Sequence, residues 1–234
     1  MADEFAEQVA GVGALVEPGR RTLYLYVAAQ PQAVSREQAA NALDLPLHSV
    51  RFHLDRLVAE GLLEVEFRRL SGRTGPGAGR PTKLYRRSSR QLSVSLPERR
   101  YDLVGDVLAT AIERSARDAR PIIDAALEAA REEGKRIAAE YADDRSGSPA
   151  GTEPLGEIER VAHVLAGHGY EPRLSAREIC LANCPFDRLA TEHTELVCGT
   201  NLALVRGLID GLDIGDLSAE LAPEPGFCCV RVRG

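Results

Sequence analysis

Five cysteines carry the strongest chemical signal in this 234-residue sequence: Cys180, Cys184, Cys198, Cys228 and Cys229. All lie in the last quarter of the chain, and an odd, clustered set does not read as a framework of structural disulfides. It points to a metal, a cluster or a redox site. Three residues separate Cys180 from Cys184, thirteen separate Cys184 from Cys198, and twenty-nine separate Cys198 from the Cys228-Cys229 doublet. Thiolates are soft ligands that select iron–sulfur clusters, zinc or copper(I). Structural zinc commonly uses paired short spacings such as C-x2-C twice. The present pattern draws ligands from distant segments and fits an iron–sulfur cluster in a folded pocket, four cysteines completing a [4Fe-4S] centre in preference to a [2Fe-2S] one. Zinc is the alternative cofactor, and burial as small hydrophobic residues is the plain one. Pro185 removes an N–H beside Cys184 and stiffens its loop. Cys198 is expected at the start of a long helix, where the positive dipole end favours a thiolate.

A second chemistry is written in basic residues. The formal charge is -6, yet between Arg20 and Arg90 there are 13 Lys and Arg against 6 Asp and Glu. Arg68 to Arg90 holds 8 basic residues and no acidic one. A basic module on an acidic remainder marks a polyanion-binding face. Val50, Leu54 and Leu57 recur at helical spacing and give a helix over Ser49–Glu60 one buried face. Its other side presents Ser49, Arg51, Phe52 and Arg56, with His48 at the helix start. Arg pairs bidentately with guanine, and Phe52 can meet a thymine methyl. The Gly- and Pro-rich stretch that follows supplies Arg73, Arg80 and Lys83, which suit contacts to the DNA backbone.

These residues need elements to hold them. Ser35 and Gln38 form a capping-box pattern that opens a helix through Leu43. A helix candidate over Arg20–Ala29 precedes it, ended by Pro31. Gly61 closes the Ser49–Glu60 helix. Two short strands, Leu62–Phe67 and Lys83–Arg86, flank a loop too rich in Gly and Pro to be helical. Further helices are expected from Pro97 to Asp118, from Pro121 to Tyr141, over Leu155–Gly167, around Phe186–His193 and over Leu196–Leu212. Strands are expected near Pro172–Leu174, Glu178–Leu181 and Cys228–Val232. The stretch from Asp143 to Pro154 reads as a polar linker. The expected fold is mainly α with small β elements. It comprises a winged helix-turn-helix over 1–96, a helical dimerisation region over 97–142 and an α+β sensor domain over 154–234.

The run from Ser49 to Leu57, then Gly61-Leu62-Leu63, then Gly79-Arg80-Pro81-Thr82-Lys83-Leu84-Tyr85, resembles the ArsR-like winged-helix regulators. The wing is especially similar to the SufR-type branch. The cysteine motif that arsenic-sensing members carry near the recognition helix is missing. The stretch from Glu178 to Val230 resembles the SufR-type C-terminal region, in which cysteines hold an iron–sulfur cluster. That resemblance implies ligand roles for Cys180, Cys184 and Cys198, with Cys228 or Cys229 completing the set. It also implies a homodimeric repressor that binds double-stranded operator DNA under control of the cluster. No apolar run reaches the roughly 18 residues of a membrane span, and the acidic N-terminus has no signal-peptide pattern, so a cytoplasmic location is expected. A zinc-stabilised regulator of a small ligand and a thiol or cluster redox enzyme are the rivals. No C-x-x-C and no Ser/His/Asp set supports an enzyme.

Overall fold

A computed structural model describes residues 2–69, 81–146, 155–175 and 177–234. The chain divides into two units, Met1–Val94 and Ser95–Gly234. Both are mostly helical and each carries one small antiparallel sheet.

The first unit opens with α1 (Ala2–Ala14), which the sequence reading did not anticipate. Helix α2 spans Pro18–Ala28, two residues ahead of the expected start. Pro18 suits the first turn, and the Glu17 carboxylate accepts from the Gly19 and Arg20 amides at 3.0 and 2.6 Å. Strand β1 (Val34–Ser35) leads into α3 (Arg36–Leu43). The capping box forms as expected: the Gln38 amide donates to Ser35 Oγ at 3.2 Å, and the Ser35 amide donates to Gln38 Oε1 at 2.8 Å. Helix α4 covers Leu47–Ala59. Its last carbonyls are taken by the amides of Gly61 and Leu62, with Gly61 at φ +71°. Val50, Leu54 and Leu57 are fully buried beside Leu23, Val27 and Ala39. The hairpin β2 (Leu63–Arg68) and β3 (Thr82–Arg87) follows, and β1 pairs with β3 to give the order β1-β3-β2. Val65 lies opposite Tyr85, and Tyr85 is buried against the helices.

The second unit begins with α5 (Tyr101–Asp118) and α6 (Ile122–Ser146). Helix α5 starts four residues later than expected. The backbone before it is engaged elsewhere: Asn183 Nδ2 donates to the Glu98 carbonyl at 2.9 Å, and the Arg100 amide donates to the Pro185 carbonyl at 3.0 Å. Helix α6 runs five residues beyond Tyr141, into the stretch expected as linker. Then come α7 (Glu157–Ala166), β4 (Pro172–Ser175), β5 (Glu178–Leu181), α8 (Asp187–Glu192), α9 (Thr194–Gly211), β6 (Ser218–Leu221) and β7 (Val230–Arg233). Strand β6 was not anticipated; it completes the antiparallel order β4-β5-β7-β6.

Helix α9 is the spine of this unit. One side packs on the sheet, where Ile179, Leu181, Val230 and Val232 meet Leu204, Val205 and Leu208 in a single core. The other side lies against α6 at backbone distance. A Cβ added at Gly207 would stand 2.0 Å from the Arg131 carbonyl oxygen, and one at Gly134 would stand 2.0 Å from that of Leu204. The helices over 101–146 are thus packed into the same unit as the cysteine-bearing segments.

Candidate cysteine site and nucleic-acid interface

Four of the five cysteines come together. Cys184, Cys198, Cys228 and Cys229 line one cavity of about 400 Å³ with Asp187, Ala190, Phe227 and Glu224. They arrive on three different supports. Cys184 sits in the loop after β5, where the Asp187 amide turns back to its carbonyl at 3.1 Å. Arg99 Nη1 donates to the same carbonyl at 3.2 Å. Phe186, next along, is buried and anchors the loop in the core. Cys198 lies in the second turn of α9. The Cys228-Cys229 doublet enters β7 from a turn in which the Phe227 amide donates to the Glu224 carbonyl at 3.1 Å. Pro225 and Gly226 occupy its centre, and Gly226 takes φ +84°, as a type II turn requires. The Cys228 amide then donates to the Leu181 carbonyl at 2.8 Å, and the Ala222 amide donates to that of Cys229 at 2.8 Å.

Cys180 is not part of this group. Ile179 and Leu181 point into the core, so the alternation of a strand turns Cys180 to the other face. There it meets the charges of Glu178 and Arg231.

The thiols interact in a row. Cys184 and Cys228, Cys228 and Cys229, and Cys229 and Cys198 act on one another's ionisation. The neighbouring Cys228 thiol, followed by burial, pushes the Cys184 thiol far above its ordinary value. Cys184 pulls Cys228 down, but Cys229 and burial outweigh it and Cys228 rises to about 11. Burial also raises Cys198, against the lowering expected from a helix start. The helix begins at Thr194, so Cys198 lies past the free amides of the first turn, and desolvation wins. The raised values of Cys184, Cys198 and Cys228 favour their protonated forms, and a metal must displace those protons to bind. Among the described residues, no three His, Cys, Asp or Glu side chains are arranged around a point for a single ion. Four soft donors line the cavity, a donor chemistry that suits thiophilic metals and metal–sulfur clusters.

In the first unit, α4 turns the expected nucleic-acid face outward. Val50, Leu54 and Leu57 are buried, while His48, Arg51, Phe52 and Arg56 are exposed and Ser49 is partly so. Phe52 is 65% exposed, so its ring is free to meet a partner. Arg56 pairs with Glu60 at 2.5 Å. Lys83 on β3 reaches back to Asp55 Oδ1 on α4 at 2.6 Å, and Tyr85 Oη donates to the same oxygen at 3.1 Å. Lys83 therefore ties the hairpin to α4 as well as adding positive charge. Asp55 and Tyr85 stand within the quoted motifs but carry no local signal of this role, because the tie depends on contacts between residues 28 and 30 positions apart. Burial would raise the Asp55 carboxyl, but the Lys83 and Tyr85 hydrogen bonds and nearby cations hold it below its ordinary 3.8. Arg73 and Arg80 lie outside the described residues.

Residues 15–66 match the family model of a helix-turn-helix domain. No curated protein and no solved structure matches the chain. The first unit carries a helix-turn-helix domain, the module by which transcriptional regulators bind DNA. No helix among the described residues is long and apolar enough to cross a membrane.

Proposed function

We propose that this protein is a DNA-binding transcriptional repressor of the SufR type, a homodimer whose operator affinity is set by an iron–sulfur cluster in the second unit. The observation that carries the reading is the convergence of four cysteines from three distant segments on one cavity, in a chain whose other unit carries a helix-turn-helix. Cys184 and Cys198, with Cys228 or Cys229 of the doublet, would hold the cluster. Bound there, it supplies a centre whose charge and stability respond to oxidation and to iron supply.

The chain's own residues do the rest. Arg51, Phe52 and His48 present donors and an apolar ring to base edges, and the basic hairpin meets phosphates. In a dimer, two α4 helices reach half-sites about 34–36 Å apart. Coupling requires that the loaded and empty sites favour different arrangements. The Cys184 loop is suited to this, because Arg99 and Asn183 bond it to the segment Glu98–Arg100 that follows the boundary between the units.

The test is purification without oxygen, with iron and sulfide analysis, a visible spectrum and titration against promoter DNA before and after cluster removal. Matched iron and sulfide, a broad visible absorption and an affinity that changes on removal are expected. A colourless protein that cannot be reconstituted would overturn the cluster reading. DNA affinity indifferent to removal would overturn the coupling.

A further inference from the structure

Asn201 stands one helical turn after Cys198 on α9 and is almost fully buried. An Asn is a poor choice for a helix interior and a costly one for a core unless its amide is satisfied. Here both ends are used. The buried Tyr170 Oη donates to Asn201 Oδ1. That bond fixes the orientation of the amide, because only Oδ1 can accept from a hydroxyl. Asn201 Nδ2 is left to donate to Cys228 Sγ at 3.3 Å. A neutral thiol is a weak acceptor. A thiolate, free or metal-bound, is a strong one, since hydrogen bonds to an ionised partner are about twice as strong as neutral ones. A two-residue buried relay ending on a sulfur is therefore matched to the charged state of that sulfur.

Building on the metal–thiolate reading of the cavity, we infer that Asn201, oriented by Tyr170, is the positioning residue of the site: its N–H holds Cys228 as the ligand of the doublet and stabilises the negative charge on its sulfur. Tyr170 packs edge-on against Phe186, beside the Cys184 loop, with ring centroids 6.3 Å apart, so the relay is braced against the second supporting loop as well. Groups that orient and hydrogen-bond a ligand in this way commonly alter metal affinity by 10–100-fold when removed.

The full-length protein is compared with its Asn201→Leu, Tyr170→Phe, Cys228→Ser and Cys229→Ser variants. Iron content after anaerobic reconstitution, the midpoint potential of the loaded protein and Co(II) affinity of the metal-free protein are the readouts. Cys228→Ser is expected to lose iron, and Cys229→Ser to keep more of it. Asn201→Leu is expected to bind iron with a lower midpoint potential, because the lost N–H favoured the more negative, reduced state. Tyr170→Phe should shift the same way by less, and it serves alone if the Asn201 variant does not fold. Unchanged potentials in both relay variants, or iron lost with Cys229 and kept without Cys228, would overturn the inference. If the wild type itself takes up no iron, the cluster reading fails while the relay stays testable. Co(II), followed by its thiolate charge-transfer absorption, should then bind about 10-fold or more weakly to Asn201→Leu. Equal Co(II) affinity would refute the positioning role.

Discussion

Cys180 and Cys184 stand four positions apart, yet a strand turns one away from the core and a loop carries the other into the cavity. The two should therefore behave differently. Cys180→Ser is expected to retain the iron and the visible spectrum of the wild type, and Cys198→Ser to lose most of both. Equal losses would place Cys180 among the ligands. At the other end of the chain, Asp55 offers a pH test. Its carboxyl is held below 3.8, so it contributes stability above that value and loses it as the pH falls through the lowered pKa. The first unit of the wild type should therefore lose stability as the pH falls from about 5 through the lowered pKa, and Asp55→Asn should flatten that part of the pH dependence. The pair is partly exposed, so its loss at neutral pH should cost less than about 1 kcal/mol. Thermal melts of both proteins from about pH 2 to 6, spanning the lowered pKa, decide the matter; curves of identical shape would deny Asp55 a role.

At the scale of elements, the contact between α6 and α9 does most to place the site. Gly207 lets α9 touch the α6 backbone, and a side chain there has no room. Gly207→Val should destabilise the second unit by roughly 1–3 kcal/mol through overpacking, or more if the helices must separate. Denaturant unfolding followed by circular dichroism would measure it, with Gly105→Ala as a control, since nothing lies within 4 Å of a Cβ added there. Because Cys198 and Asn201 ride on α9, the Gly207 variant should also lose metal uptake before it loses its helices. Retention of uptake with reduced stability would show that the cysteine end of α9 is held by the sheet alone.

The whole molecule joins a basic N-terminal stretch to an acidic remainder. Binding through phosphates releases counterions, so DNA affinity should fall steeply with salt. If a dimer neutralises about six phosphates, raising salt from 50 to 200 mM should weaken binding by roughly 10³-fold. Fluorescence anisotropy with labelled promoter DNA would show this. Arg51→Ala should cost about 1–3 kcal/mol on the preferred site and little on unrelated DNA. A flat salt response would remove the basic hairpin from the interface. An equal loss on all sequences would make Arg51 a phosphate contact.

Much of this was legible in local patterns. Ser35 with Gln38, the Val50-Leu54-Leu57 stripe and Gly61 determine where α3 begins, which face of α4 is buried and where α4 stops, because caps and helical periodicity act over a few residues; the start of α4 at Leu47, two residues before the expected Ser49, has no side-chain cap to announce it. The five cysteines announced a soft-ligand site for the same reason: composition and spacing are local facts. Tertiary structure decided which of them share one cavity. Whether Cys180 or Cys229 joins Cys184, Cys198 and Cys228 depends on which face of β5 meets α9 and on how the Pro225-Gly226 turn delivers the doublet. Both are set by packing between segments tens of residues apart. The same holds for Asp55 with Lys83 and Tyr85, and for Tyr170, Asn201 and Cys228. Hydrogen bonds at such separations leave no period in the sequence; they exist only once burial has fixed every partner in place.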